Sequence, residues 1–343
     1  MAPFKSSLAR SAGKLLGVFR ERDLSLRGAT QSIRIPPFAA SGGNIDAVTP
    51  GDGYTYHLFN ATGSLVMPEP YNIEVLLIGG GGSGGAFGPP NGAAGGGAGG
   101  VVHHSQLSAS GTLTINVGDG GGPVALSTKD DGDDSTIVSP AGPWTITAKG
   151  GGAGGYYATA GNPGGSGGGG GGNGGGYSNT HTTSTQAPQN PSFVPQTGFN
   201  QYGSGGGAPS DNNPGKAGGG GGAGGVGGSS PEAEGAPGVS AGGDGRAFPS
   251  FPGALPGFTP MPTTWKNTVG PTGLFAGGGS GESPYGSATP TSAAGSGGGG
   301  GYFPGPETFV ADGVANTGGG GAGTNAAPGG VGGKGICIIR YQG

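Results

Sequence analysis

Four aspartates within five residues, Asp130, Asp131, Asp133 and Asp134, form the densest group of potential metal ligands in the chain. Carboxylates around the turn-forming Gly132 suit a hard cation such as Ca²⁺, but the spacing does not match an EF-hand loop. The ordinary reading is a solvated hairpin tip, and no metal is expected. His103 and His104 are adjacent; on a strand they point to opposite faces and cannot share one ion. Four histidines and the single Cys337 offer no zinc-ligand spacing and no disulfide framework. The glycine–lysine stretch Gly332–Gly335 lacks the G-x-x-x-x-G-K-[ST] pattern of a phosphate-cradling loop, because Gly335 follows Lys334. Gly81-Gly82-Ser83-Gly84-Gly85 has the letters of a nucleophile elbow, but no strand-to-helix transition surrounds it. No cofactor and no enzymatic activity are expected.

Aromatic side chains offer a different chemistry. Tyr177, Phe193, Phe199 and Tyr202 lie in segment 177–202 among Asn, Gln, Ser and Thr. Trp265 lies in the proline-rich segment 246–276, Tyr285 in 282–294, and Tyr302 and Phe303 in 301–317. Rigid rings beside small polar residues suit a contact surface and stack well on sugar faces. The competing reading is that these rings cap the ends of a glycine core.

The elements that position these residues are unusual. Gly accounts for 93 and Pro for 30 of 343 residues, more than a third of the chain together, and only 9% are charged. Apolar residues suffice for one small core. No run of 18 apolar residues occurs, and no secretory signal is readable at the N-terminus. Residues 1–34 hold Lys5, Arg10, Lys14, Arg20, Arg22, Arg27 and Arg34 against Glu21 and Asp23. Within them Leu8, Ala12, Leu15, Leu16 and Phe19 form one stripe at helical spacing, with Arg10, Lys14 and Arg20 opposite. Gly13 and Gly17 weaken that helix by roughly 1 kcal/mol each, so it calls for a partner surface.

Strands are expected at Tyr54–Asn60, Asn72–Ile78, Val101–His104, Thr112–Val117, Thr136–Val138, Trp144–Ala148 and Ile336–Tyr341, from apolar runs and alternation. Strands early in the chain and one at its end suggest that the two ends share a sheet. Between them lie about ten glycine runs, near 79–85, 95–100, 150–155, 164–176, 203–207, 218–228, 277–281, 295–301, 318–323 and 329–335. Ten flexible linkers in one chain is implausible. A bundle of three-residue-per-turn extended helices, hydrogen-bonded to one another, would order such runs, since only Gly lets backbones approach on all sides. The expected fold is thus mainly β with a polyglycine-II helix bundle and a short N-terminal amphipathic helix or arm. The expected division is a basic arm at 1–37, a β-rich lead-in at 38–149, and a glycine-rich bundle closed by a C-terminal strand at 150–343.

The ordered frame I-E-V-L-L-I-G-G-G-G (73–82), G-A-G-G-V-V (97–102), T-L-T-I-N-V-G (112–118), D-S-T-I-V (134–138), W-T-I-T-A-K-G-G-G (144–152) and G-K-G-I-C-I-I-R-Y (333–341) resembles the glycine-rich domain of bacteriophage tail-fibre and other virion fibre proteins. The resemblance implies a non-catalytic virion structural protein that attaches to the host, on tail or capsid. The basic arm lies outside this frame; its seven basic residues interleaved with an apolar stripe favour docking onto other virion proteins through Leu8, Leu15, Leu16, Phe19 and Arg20 over nucleic acid or an anionic membrane. The connectors would meet a host surface glycan or an outer-membrane protein, and family analogy implies a homotrimer. Other readings are a capsid-decorating fibre and an extracellular glycine-rich protein of the ice-binding or cell-wall kind.

Overall fold

The computed structural model describes residues 39–88, 91–139, 144–172, 199–209, 215–230, 240–282, 293–303, 309–325 and 328–343. The chain divides into Met1–Ala39 and Ala40–Gly343. The expected docking residues Leu8, Leu15, Leu16, Phe19 and Arg20 lie outside the described residues. Ala40–Gly343 is one compact unit, so the boundary expected at 149/150 does not separate two bodies.

The fold is mainly β. Strands β1 (Ile45–Val48), β2 (Tyr54–Phe59), β3 (Gly63–Ile78), β4 (Val101–Asn116), β5 (Ser135–Ser139), β6 (Trp144–Ala148), β7 (Phe199–Tyr202) and β12 (Ile336–Gln342) form one antiparallel sheet. Its order is β1-β2-β12-β3-β4-β5-β6, and β7 pairs with β4. The last strand therefore lies between two of the first, as the two apolar ends of the sequence suggest. Short pairs β8 (Arg246–Ala247) with β9 (Leu274–Phe275), and β10 (Tyr302–Phe303) with β11 (Phe309–Val310), complete the strands. Among the described residues one short helix, α1 (Thr263–Val269), follows Pro262.

β4 joins two stretches that read separately in the sequence. Its middle, Ser105–Gly111, is small and polar, yet Leu107, Ser108, Ala109 and Gly111 pair with Ile73, Asn72, Tyr71 and Met67 of β3. Tertiary pairing outweighs their weak intrinsic strand preference. Across β2, β12 and β3, Leu58, Ile338 and Leu76 stand in one row, and Tyr56, Arg340 and Glu74 in another on the same face. The apolar row is covered by segment 246–276, whose Phe251, Phe258, Trp265, Val269 and Phe275 are almost wholly buried against it.

The glycine runs form the rest of the interior, and their backbone hydrogen bonds step by three. Gly79, Gly82 and Gly85 donate to Gly100, Gly97 and Ala94. Gly80 and Ser83 donate to Asp133 and Asp130, and Gly81 and Gly84 to Gly333 and Gly330. Each third residue thus faces the same neighbour. Run 92–100 is enclosed by six others: it donates to 218–221, 318–321 and 149–155, and accepts from 79–85, 166–169 and 279–282. Neighbours run in both directions. Gly95 and Ala98 meet Gly218 and Gly221 in parallel, whereas Gly96 and Gly99 meet Gly321 and Gly318 antiparallel. Hydrogen bonds perpendicular to the chain accept either direction, so parallel and antiparallel neighbours coexist around one run.

The aspartate cluster belongs to this array and is not a free hairpin tip. Gly132 donates to Gly151 and Asp133 to Asp119 through the backbone. The carboxylates serve stray backbone amides: Asp130 accepts from Gly122, Asp131 from Ala153, and Asp134 from Gly150. Buried backbone donors need partners, and these side chains supply them where a neighbouring run is missing.

Candidate functional site

Two charged residues interrupt the apolar runs at the ends of β3 and β12, and the register brings them together. Arg340 of β12 sits beside Glu74 of β3. Arg340 Nε and one terminal nitrogen each lie 2.7 Å from Glu74 Oε2. His103 Nε2 lies 2.9 Å from Glu74 Oε1. Both partners of the Arg340–Glu74 pair are only 13% exposed, so solvent screens it weakly. The other terminal nitrogen of Arg340 donates to Tyr56 Oη at 3.2 Å, and that hydroxyl donates to Asp52 Oδ2 at 2.7 Å. The guanidinium also stacks 4.0 Å from the Tyr54 ring centroid. The whole row is thus one cross-strand network with few degrees of freedom.

Its titration follows from that geometry. Burial pushes Glu74 up, but hydrogen bonds and charge from His103 and Arg340 outweigh it and hold the carboxyl below its usual range. Burial, together with the hydrogen bond to Asp52, pushes the Tyr56 phenol up to about 12. On the opposite face burial keeps His57 below its ordinary value, and His104 is lowered by burial and then by its neighbour His103. His104 Nδ1 accepts from Gln106 N at 3.1 Å, and its Nε2 is buried without a partner among the described residues. A histidine whose folded pKa is depressed takes up its proton more readily when unfolded, so stability falls as pH drops below the unfolded value of about 6.5. The depressed Glu74 contributes stability above its unfolded value of about 4.3, which is lost on further acidification. The melting temperature is therefore expected to fall between pH 7.5 and 5.5, with a second decline below about pH 4.3. Thermal scans across that range check it, and His104→Phe should flatten the first decline.

This network floors a cleft of about 480 Å³ lined by Tyr54, Pro70, Tyr71, Asn72, Glu74, Ser105, Gln106, Ser108, Arg340, Tyr341 and Gln342. Sequence reasoning did not single these residues out. The available signal was an opposite charge in each of two apolar runs, Glu74 in 72–78 and Arg340 in 336–341.

The aromatic contact candidates divide. Tyr177, Phe193 and Tyr285 lie outside the described residues, and Tyr302 and Phe303 are placed in β10 by backbone only. Phe199 and Tyr202 are the first and last residues of β7 and are partly exposed; Phe199 packs edge-on against His104, and Arg246 stacks 3.8 Å from the Tyr202 centroid. Trp265 is a correction. It is 1% exposed, and its Nε1 donates to Asn316 O at 2.7 Å. Its ring packs against Phe258 and Phe275 and has no face to offer an outside partner. Helical spacing of Trp265 and Val269, hidden in a proline-rich segment, is what turns it inward. Trp265→Ala is expected to cost about 3–5 kcal/mol of folding stability, read from urea unfolding.

An exposed ring cluster that the sequence did not flag stands at the end of the glycine array remote from the sheet. There Phe87 stacks with Tyr157 at 5.0 Å and Tyr156 at 6.2 Å between centroids, and Tyr157 is 43% exposed. Gly172 and Glu282, the last described residues before the segments holding Tyr177 and Tyr285, hydrogen-bond to Gly92 and Ala93 at that same end. Cys337, the lone thiol, is fully buried, which pushes its pKa up and away from reactivity.

No curated protein matches the chain. The family described as "Glycine-rich domain" matches residues 60–342, from the turn between β2 and β3 to the last residue of β12 and so across the whole hydrogen-bonded glycine array. The chain belongs to the glycine-rich domain family.

Proposed function

We propose that this chain is a non-catalytic structural protein of a phage virion, a fibre that carries host-contacting loops on a bundle of polyglycine-II helices. The observation that carries the reading is the three-residue step of hydrogen bonds around run 92–100, with six enclosing runs. A three-per-turn extended helix turns successive N–H groups through a third of a circle, so each donor finds a different neighbour. Such a core is rigid without large side chains, and a rigid core with diverse loops is the architecture of a contact protein. The ring pair Phe87–Tyr157 stands at the end of the array opposite the sheet, where Gly172 and Glu282 also lie.

In this reading residues 1–37 dock onto another virion protein, the loops meet a host glycan or an outer-membrane protein, and the assembly is a homotrimer on tail or capsid. The low charge of the chain, 9% charged residues, disfavours a mainly ionic partner. The test is particle incorporation and adsorption. Deleting residues 1–37 should leave a folded protein that no longer joins particles, and Tyr157→Ala should weaken adsorption while sparing incorporation. Normal incorporation of the truncated chain would refute the docking role.

A further inference from the structure

We propose that the cleft over β2, β12, β3 and β4 is a binding site for a neutral saccharide of one or two hexose units. This site is separate from the loops discussed above, and the inference rests on the chemistry of its walls.

The first support is rigidity. Tyr54 pairs with Gln342, Arg340 with both Tyr56 and Glu74, and Asn72 with Ser108, all within one sheet. Most of the cleft is thus built on paired backbone, with Pro70, Ser105 and Gln106 at the two irregularities of the β3–β4 pairing, and it needs little ordering when a ligand enters. The second is composition. Tyr54 and Tyr71 supply rings, while the exposed side chains of Asn72 and Gln106 supply amide donors and acceptors. Pro70 is the sole aliphatic ring in the lining, so an apolar peptide anchor finds no pocket. Sugars present C–H faces that stack on aromatic rings and hydroxyls that both donate and accept, which matches such a wall.

The third support is charge. Arg340 and Glu74 neutralise one another, and Glu74 also holds His103. Glu74 already neutralises Arg340, so an anionic ligand gains no net charge attraction here. A neutral polyol keeps the pair intact and meets a guanidinium that lines the cleft and whose orientation is fixed by Glu74, Tyr56 and the Tyr54 ring. Planar polar groups held in this way lose little entropy on binding. The volume of about 480 Å³ lies in the range of small-ligand sites.

The test uses the full chain and saturation-transfer NMR with methyl β-D-glucopyranoside, methyl α-D-mannopyranoside, methyl β-D-galactopyranoside, maltose and lactose as probes. Sodium glucuronate serves as the charged comparison. Transfer to ring C–H protons of at least one neutral sugar is expected, exceeding that to glucuronate. In the Asn72→Ala/Gln106→Ala double variant the signal should drop at least tenfold at an unchanged melting temperature, since both side chains are exposed. Absence of transfer from every probe overturns the inference. So does transfer that persists in the double variant, which would put the sugar elsewhere on the protein. Neither result touches the fibre reading, which stands or falls on particle incorporation; conversely, saccharide capture in this cleft by a protein that never joins particles would leave the inference and remove the fibre.

Discussion

Gly220→Ala is expected to lower folding stability by about 3–5 kcal/mol, while Gly88→Ala stays within about 0.5 kcal/mol of the parent. A methyl group at Gly220 would sit 1.9 Å from Gly96 O and 2.3 Å from Gly96 C. Those are backbone atoms, so no rotamer change relieves the clash. Gly96 O is also the acceptor for Gly279 N at 2.9 Å, and Gly220 N donates to Gly279 O at 2.8 Å. Moving the 218–221 run outward far enough to clear the methyl stretches the Gly220–Gly279 bond together with those from Gly95 N to Gly218 O and from Ala98 N to Gly221 O. Overpacking costs about 1–3 kcal/mol, and each stranded buried amide or carbonyl costs about 1–3 kcal/mol more. At Gly88 an added methyl meets nothing within 4 Å, and the backbone is not left-handed. Alanine there also narrows the unfolded ensemble slightly, which favours the fold. Urea midpoints of the two variants against the parent decide the matter. Equal midpoints for Gly220→Ala and the parent would mean that the array is not packed backbone against backbone.

The same contrast explains what could be read from the sequence. Strands β2, β5, β6 and β12 were legible because aliphatic and β-branched residues cluster there, as in Ile336–Tyr341. The middle of β4 was not, because Ser105–Gly111 acquires its strand geometry from β3 and not from its own side chains. The glycine array was legible as a need for hydrogen-bond partners, but not in its pairings. Glycine carries no side chain to specify which run meets which, so that information resides in the few non-glycine positions and in the sheet that anchors the ends. The place of residues 130–134 in the array was not legible because their aspartates read as a solvated tip, whereas Asp131 and Asp134 bind the amides of Ala153 and Gly150. Trp265 escaped for the opposite reason: a proline-rich, aromatic segment reads as surface, yet it covers the Leu58–Ile338–Leu76 row. In the candidate cleft, the rings and amides come from four strands that meet only in the folded sheet, so no local window contains the site.

Ending the chain after Gly335 is expected to abolish cooperative folding, and Ile338→Asp is expected to do nearly the same, whereas Ile338→Val should cost only about 1 kcal/mol. β12 is the link between two otherwise unpaired edges: Cys337 to Gln342 pair with β2, and Ile336 to Arg340 pair with β3. Ile336, Cys337, Ile338 and Ile339 have no exposed surface at all. Without β12, β2 and β3 lose their shared neighbour, the aromatic cover from 246–276 loses the centre of its floor, and Glu74 loses Arg340. Ile338→Asp leaves the strand in place but puts a carboxylate between Leu58 and Leu76 with no partner, a burial costing several kcal/mol. Ile338→Val removes one methyl and keeps the shape, so it calibrates the site. The glycine array cannot compensate for the loss. Ordering each glycine backbone costs about 1–2 kcal/mol of entropy, and its hydrogen bonds return roughly 1 kcal/mol net apiece. That near balance means the array holds only while the apolar sheet brings its ends together, Gly79 after Ile78 and Gly335 before Ile336. Thermal scans by near-ultraviolet dichroism measure the outcome. A truncated chain that still melts in one sharp transition would show that the glycine runs assemble without the sheet.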